Sequence, residues 1–299
     1  MHIGNILVPV DFGEASADAL DLAIRMAAKL GAKLTLLHAF YVPPMAYSYD
    51  PTLWVTDWAT ASRAQLEALT ASTKRRHLDT ESLWMEGDPR TCIVDAARDR
   101  SADLIVAGTH GRRGVSRVFF GSVAERLVRT APVPLITTAA GAQRIGFGPR
   151  IRHLLVATDF GGPSQRARAF ACALARKFDA RVTILHVVPW LSASLARTLP
   201  AEAEVVDQAK LSLKTELELA KQEATGVDSL LVEGDPRERI LSAAREMDAD
   251  MIAMGTHARR GLSRVFLGSV AEAVVRASEI PVLTMNSESA EVNLVAQDG

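Results

Sequence analysis

Cysteine, aromatic residues and long apolar runs are scarce in this sequence, and each shortage excludes a class of protein. The 299 residues include two cysteines, Cys92 and Cys172, without a Cys-x-x-Cys pair, so neither a disulfide framework nor a zinc site is expected. No apolar run approaches the roughly 18 residues that a membrane span needs. The first residues lack the basic and apolar regions of a secretory leader. We therefore expect a cytoplasmic protein without membrane association.

The sequence also has no excess of positively or negatively charged residues. The chain carries 34 lysines and arginines against 35 aspartates and glutamates, a net charge of -1. Because this balance gives no strong positive field, no nucleic-acid partner is expected. The length suffices for two ordinary domains, and 48% hydrophobic and 23% charged residues are typical of a globular fold.

The sequence does contain a long internal repeat. Fifteen residues starting at Gly108 read Gly-Thr-His-Gly-Arg-Arg-Gly-Val-Ser-Arg-Val-Phe-Phe-Gly-Ser, and the copy that starts at Gly255 differs from them at three positions. Asp11 and Asp159 are a second matched pair, 148 positions apart. We predict two homologous domains at residues 1–140 and 151–286, with a linker at 141–150 and a tail at 287–299.

Within each half, short apolar stretches alternate with amphipathic ones. This order favours an α/β fold in which helices cover both faces of a parallel sheet, with ligands bound beyond the carboxyl ends of the strands. The predicted strands are Ile6–Val10, Lys33–Ala39, Thr80–Trp84, Leu104–Ala107 and Val133–Thr137, then Leu154–Thr158, Arg181–Val187, Ser229–Val232, Met251–Met254 and Val282–Met285.

Proline marks helix starts and sheet edges. Each half contains Glu-Gly-Asp-Pro-Arg, in which Asp88 or Asp235 is expected to cap a helix that begins at the proline. Pro134 and Pro281 lie in or beside the last strands, which favours edge positions for those strands. Because an edge strand can pair with another strand, we expect a homodimer or pairing of the two halves through the last strands.

The strand, glycine-rich loop and helix around Gly108 suit a phosphate. Glycines allow close backbone approach, and the helix start directs unpaired N–H groups and a positive dipole end at the loop. We expect Gly108 to end its strand where a side chain would block a ligand. Ser122 with Glu125 matches a capping box, as does Ser269 with Glu272, so the serine is interpreted as a helix cap, a phosphate ligand, or both.

The spacing of this loop is Gly, two residues, Gly, nine residues, Gly-Ser, which is neither a P-loop nor Gly-x-Gly-x-x-Gly. It resembles the ATP-binding motif of the universal stress protein family, and the resemblance covers nearly the whole chain in two halves. The family implies two tandem Rossmann-like domains of the adenine nucleotide alpha hydrolase type. Each would hold five parallel strands in the order 3-2-1-4-5 and bind ATP, with Mg²⁺ on general grounds.

The resemblance also implies a set of ligand-binding residues in each half. Asp11 matches the acidic residue near adenine and ribose, Ala39 would offer its backbone to adenine, and the loop would hold the phosphates. The full implied set is Pro9, Val10, Asp11, Ala39, Ala107, Gly108, Gly111, Gly121, Ser122 and Val123, with Ala157, Thr158, Asp159, Val187, Met254, Gly255, Gly268, Ser269 and Val270 in the second half. Ala258 stands where the motif expects glycine, which puts the second site in question.

For several side chains near the motif, two interpretations remain open. Arg112, Arg113 and Arg117 either attract phosphate or form an ordinary solvated face. His110 and His257 have no partner acid or nucleophile within the motif, which favours a structural role over general-base catalysis.

The histidines at the second strand of each half, His38 and His186, are interpreted as strand-end packing residues. The aromatic segment 41–58 is a lid, a partner surface, or a loop packed on its own aromatic side chains.

Three functions remain open from the sequence. The first is an ATP-binding regulatory protein with little or no catalysis and a protein partner that the sequence does not name. The second is a nucleotide enzyme or slow ATP hydrolase, although the Ser-Gly-Gly-x-Asp-Ser loop of ATP pyrophosphatases is replaced here by Asp11-Phe-Gly-Glu-Ala-Ser. The third is an interaction module without nucleotide.

Overall fold

Residues 2–42, 52–109, 121–141, 151–189, 200–256, 268–287 and 289 are described by the computed structural model. The chain divides into two compact units, of which the first is Ile3–Ala140 and the second extends from Gly141 onward. No helix in these ranges is long and apolar enough to cross a bilayer.

The first unit is a five-stranded parallel sheet with the strand order β3-β2-β1-β4-β5. Strands and helices alternate along the chain throughout. The elements are β1 Asn5–Pro9, α1 Glu14–Leu30, β2 Lys33–Phe40, α2 Thr52–Lys74, β3 Thr80–Glu86, α3 Pro89–Asp99, β4 Leu104–Gly108, α4 Ser122–Thr130 and β5 Leu135–Thr138.

The second unit repeats this plan, with its strands in the order β8-β7-β6-β9-β10. The predicted fold class and strand order are therefore confirmed in both halves. The elements are β6 His153–Ala157, α5 Gly162–Phe178, β7 Arg181–Pro189, α6 Pro200–Glu223, β8 Val227–Gly234, α7 Pro236–Glu246, β9 Met251–Gly255, α8 Ser269–Ala277 and β10 Val282–Met285.

The central strands form the core of each sheet. Ile6–Val8 and Leu104–Val106 are fully buried, as are Leu154–Val156 in the second unit. Such strands are covered by helices on both faces, which explains their continuous apolar sequence. The predicted helix starts after Asp88 and Asp235 are confirmed, because each carboxylate accepts the N–H of the residue two positions on, at 2.9 Å and 2.8 Å.

Some predicted boundaries were wrong by one or two residues. The first strand of each half ends at Pro9 and Ala157, before Val10 and Thr158. The last strand of the first half begins at Leu135 and not at Val133, because Pro134 has no N–H to donate to a ladder.

Glycine at the end of the fourth strand lets the first helix of each unit start close to the sheet. A Cβ on Gly108 would lie 2.6 Å from the backbone carbon of Ala15, and a Cβ on Gly255 would lie 2.5 Å from the backbone nitrogen of Ser164. The steric limit at both glycines therefore comes from the helix backbone, which our interpretation of Gly108 as a ligand contact did not foresee.

Replacing Gly255 by alanine is expected to lower the free energy of unfolding of the second unit by about 1–3 kcal/mol, because α5 must shift to admit the methyl group. Urea unfolding followed by circular dichroism measures the change. Gly162→Ala is the matched control, since the nearest atom to a Cβ there is Arg166 Nη1 at 3.6 Å. Equal stability of the two variants would contradict this packing account.

Candidate functional site

The carboxyl ends of three adjacent strands in each unit bring the predicted site residues together. In the first unit, β1 lies between β2 and β4, and Pro9 pairs with Leu37 while Leu7 pairs with Ile105. This register places Val10 and Asp11, Ala39 of β2, and Gly108 of β4 at one edge of the sheet. The second unit places the matching residues at the same kind of edge, namely Ala157, Thr158, Asp159, Val187, Met254 and Gly255.

Part of the predicted site lies outside the described residues. Gly111 and the rest of that loop, with the three arginines and His110, belong to this part, as do Ala258 and His257 in the second half.

The exposed aspartate after the first strand forms a tight turn in each unit. Asp11 Oδ1 accepts the N–H of Gly13 at 2.9 Å, and Asp159 Oδ1 accepts the N–H of Gly161 at the same distance. Asp159 also accepts the Ser164 hydroxyl at 2.7 Å. Each carboxylate is thereby held at the sheet edge while remaining open to solvent.

The residue within each turn is a phenylalanine in the left-handed region of backbone conformation. Phe12 and Phe160 both have a φ of 63°. A bulky residue rarely adopts this conformation, which costs roughly 1 kcal/mol or more and recurs at functional sites. Each ring packs against the histidine of the neighbouring strand, with centroids 4.6 Å apart for Phe12–His38 and 4.3 Å for Phe160–His186. In the sequence, only the position of each phenylalanine before a glycine hints at this conformation.

Those histidines do more than pack, because they end the ladder between the first two strands. The pairing stops at Pro9–Leu37, after which the Val10 N–H still donates to the Leu37 carbonyl at 2.8 Å. The next ladder bond would run from the Ala39 N–H to the Val10 carbonyl. Instead, that carbonyl lies 2.8 Å from His38 Nδ1, which must carry the proton because a carbonyl only accepts.

Ending the ladder leaves backbone groups directed at the site. In a parallel strand, the N–H and C=O of one residue face the same neighbour and alternate along the chain. The N–H and C=O of Ala39 therefore point toward the β1 side of β2, beyond the residue at which β1 leaves the sheet. In the second unit, His186 Nδ1 lies 2.8 Å from the Thr158 carbonyl, which places Val187 in the same situation. Burial lowers the pKa of His186, which favours the neutral ring with its proton on Nδ1.

In each unit, the start of the helix that precedes the last strand is tied to the end of the fourth strand. The Gly121 N–H donates to the Thr109 carbonyl at 2.9 Å, and the Gly268 N–H to the Thr256 carbonyl at 2.8 Å. The helices then begin at the exposed Ser122 and Ser269, followed by Val123 and Val270.

The capping-box prediction was wrong in both halves. Gly121 and Gly268 occupy the N-cap position, and no side chain caps either helix. The reason is that each glycine adopts the extended conformation and its carbonyl accepts the N–H of the glutamate, Glu125 or Glu272. Each glutamate side chain pairs with an arginine one turn later, Arg129 or Arg276. The Ser122 hydroxyl is therefore not used as a cap.

Taken together, the described part of each site offers a strand edge, a fixed carboxylate and the free N–H groups of a helix start. These groups can recognise a planar heterocycle, a hydroxyl group and an anion, respectively. No group of three or more His, Cys, Asp or Glu side chains that could hold a metal ion occurs in the ranges described above.

Comparisons with known proteins identify the same plan. The chain matches the universal stress protein family over residues 2–138 and again over 150–285. A universal stress protein of Mycobacterium tuberculosis is 26% identical over 291 residues, covering 93% of this chain and 95% of that protein. One of Methanocaldococcus jannaschii is 31% identical over 147 residues, covering 47% of this chain and 85% of its own.

A solved structure supports the fold independently. The universal stress protein from Archaeoglobus fulgidus superimposes with a TM-score of 0.71 at 22% identity, covering 94% of this chain and 98% of that one. Because the family matches both halves and its sheet order recurs in both units, the chain belongs to the universal stress protein family and carries the family's domain twice.

Proposed function

We propose that each half of the chain binds an adenine nucleotide, ATP, at the carboxyl end of its sheet. The observation that carries the proposal is the strand edge at Ala39 and Val187. At each of these residues, a histidine occupies the carbonyl that would otherwise pair with the strand edge, and an exposed aspartate lies nearby. In adenine, an amino group that donates adjoins a ring nitrogen that accepts. A backbone C=O and N–H facing the same side form the complement of that edge.

The remaining groups fit the rest of the nucleotide. A carboxylate such as Asp11 accepts ribose hydroxyls, as acidic residues do in other dinucleotide-binding sheets. The N–H groups of Ser122 and Val123 suit the phosphates, as do those of Ser269 and Val270. Gly121 and Gly268 would let the backbone approach the phosphates closely, and Gly111 would complete the first loop. Mg²⁺ would be held mainly by the phosphates themselves, given the lack of a carboxylate cluster in the described residues.

The same residues favour a regulatory protein over an enzyme. Hydrolysis of ATP needs a positioned base or water-orienting group. The histidine nearest each proposed adenine edge uses its Nδ1 to hold a backbone carbonyl. We therefore propose that the chain acts in the stress response through nucleotide occupancy, with slow hydrolysis at most.

The two domains, residues 1–140 and 151–286, are proposed to bind nucleotide separately. The strand at the end of each unit's order, β5 or β10, is our candidate for pairing, either between the two halves or between two copies of the chain. A cytoplasmic location and an unnamed protein partner complete the proposal.

Removing one aspartate should abolish most binding at one site alone. In isothermal titration calorimetry of the full chain with Mg-ATP, Asp11→Ala and Asp159→Ala are each expected to weaken one binding event by roughly 10- to 100-fold, the effect of losing a hydrogen bond to a charged group. Asp228→Ala is the control, because Asp228 is an exposed carboxylate at the amino end of β8.

The pattern across these variants separates the possible outcomes. Loss of one event in each variant supports two working sites. An effect of Asp11→Ala alone would restrict binding to the first half, as the alanine at position 258 suggests. No binding by the unaltered chain would contradict the proposal and leave an interaction module, and sustained turnover that Asp11→Ala abolishes would indicate an enzyme.

The role of the histidine is tested by a pair of substitutions. His38→Phe keeps the ring against Phe12 but removes the N–H that holds the Val10 carbonyl, so Mg-ATP affinity at the first site is expected to fall roughly tenfold. His38→Asn keeps a donor at a similar position and should retain most of the affinity. Calorimetry in the Asp159→Ala background isolates the first site, and equal affinity of the two histidine variants would rule out the ladder-ending role.

A further inference from the structure

The second unit contains a buried ionic cluster between α5 and α6. Arg168 and Glu216 are only 6% and 4% exposed, and Arg168 Nε lies 3.4 Å from Glu216 Oε2. The same guanidinium donates from Nη1 to Glu223 Oε2 at 2.6 Å. Two carboxylates thus share one buried cation.

The first unit has apolar residues at the matching positions. Arg168 corresponds to Leu20 by the offset of 148 that relates Asp159 to Asp11, and Glu216 corresponds to Leu69 by the offset of 147 that relates Gly234 to Gly87. At the adjoining strand end, Thr158 replaces Val10. Three positions that are apolar in the first unit are therefore polar in the second.

This exchange is not explained by stability. A buried ion pair is usually no better than a well-packed apolar pair, because both charges lose their hydration. Here the hydrogen bonding is also incomplete: within the described part of the chain, Arg168 Nε and both carboxylate oxygens of Glu216 lack a partner of good geometry. A buried and incompletely bonded carboxyl group points to a role other than packing.

A chain of hydroxyl groups leads from this cluster to the proposed ligand carboxylate. The Thr158 hydroxyl lowers the pKa of Glu216, although the two side chains do not form a hydrogen bond of good geometry. Its Oγ1 lies 3.3 Å from Ser164 Oγ. Ser164 in turn donates to Asp159 Oδ1 at 2.7 Å. Both serines can also donate to the carbonyl three residues earlier, Ser164 to Gly161 at 2.9 Å and Ser16 to Gly13 at 3.0 Å. In the first unit, however, Val10 offers no hydroxyl, and Ser16 Oγ accepts the Asp11 N–H at 3.4 Å.

We propose that Glu216 is a positioning residue of the second nucleotide site, which acts through Thr158 and Ser164 on Asp159 and makes nucleotide binding there proton-linked, unlike binding at the first site. The inference rests on the proposed nucleotide function and assigns a regulation to one of its two sites.

The protonated form of Glu216 completes the hydroxyl chain. Its O–H can donate to Thr158 Oγ1, which also accepts the Phe160 N–H at 3.0 Å, so the Thr158 hydrogen is free to point at Ser164 and the Ser164 hydrogen at Asp159. When Glu216 ionises, it draws the Thr158 hydrogen toward itself and adds a negative charge behind Asp159. Both changes oppose a bound anionic nucleotide, so binding takes up a proton from solvent.

The groups around Glu216 act on its pKa in opposing directions, with a net rise. Burial raises its pKa most strongly; Arg168 opposes this, Asp159 and Glu223 add to it, and the Thr158 hydroxyl opposes it. Cys172, which faces the same cluster from α5, has its pKa raised to about 12 by burial and by Glu223, so its thiol stays neutral. Second-site affinity is therefore expected to fall as pH rises through the pKa of Glu216.

The test compares the two sites within the full chain. Asp11→Ala reports the second site and Asp159→Ala the first, each titrated calorimetrically with Mg-ATP from about pH 5.5 to about pH 8.5, in two buffers of different ionisation enthalpy to count protons. Because the ligand is the same, its own titration cancels in the ratio of the two affinities. The second-site affinity is expected to fall relative to the first by roughly tenfold across this range.

Three further variants in the Asp11→Ala background separate positioning from folding. Glu216→Gln keeps the shape and removes the titration, so its pH profile should match that of the first site. Thr158→Val keeps the carboxyl but breaks the hydroxyl chain, so the pH dependence should shrink to the part that the charge of Glu216 exerts directly. The double variant Arg168→Leu, Glu216→Leu restores the apolar pair of the first unit and serves as a folded, pH-independent reference.

Each result decides one question. Parallel pH profiles at the two sites, or a dependence that survives Glu216→Gln, would overturn the role of Glu216 while leaving nucleotide binding intact. Absence of binding at either site at every pH would overturn the proposed function, and this inference with it.

Discussion

A single hydrogen bond, from a histidine Nδ1 to the backbone carbonyl after the first strand, organises the edge of each sheet. It occupies the carbonyl that a longer ladder would offer to Ala39 or Val187. The first strand can then turn away through a phenylalanine in the left-handed region, and the histidine ring packs against that phenylalanine. The aspartate turn and the open strand edge both depend on this early end of the pairing.

Because the domain is duplicated, the two units can be compared with each other. Both units share the aspartate turn, the histidine, the strand-end glycine and the glycine N-cap, which identifies these features as the common frame of the site. The units differ behind that frame, where Val10, Leu20 and Leu69 in the first correspond to Thr158, Arg168 and Glu216 in the second. Because these differences lie beside the same framework in each unit, we expect the two halves to respond differently to the same class of ligand.

The sequence was sufficient for the fold and for the general position of the site. Alternating strands and helices, the repeat and the family motif predicted the parallel sheets and placed Asp11 and Gly108 at one edge. Local sequence patterns gave wrong predictions where a contact between residues far apart in the sequence determines the structure. Ser122 looked like a cap, but the bond from Gly121 to Thr109 fixes the helix start one residue earlier. The roles of His38 and Glu216 depend on neighbours from other elements, which periodicity does not reveal.

The most direct measurement of the central claim is the behaviour of the Ala39 and Val187 amides in a ¹⁵N-labelled chain titrated with Mg-ATP. If the histidines open the strand edge for adenine, both amide signals should shift on binding and their hydrogen exchange should slow, with the Ala39 change absent in His38→Phe. Binding of ATP with neither amide affected would contradict the account, because the nucleotide would then be recognised elsewhere.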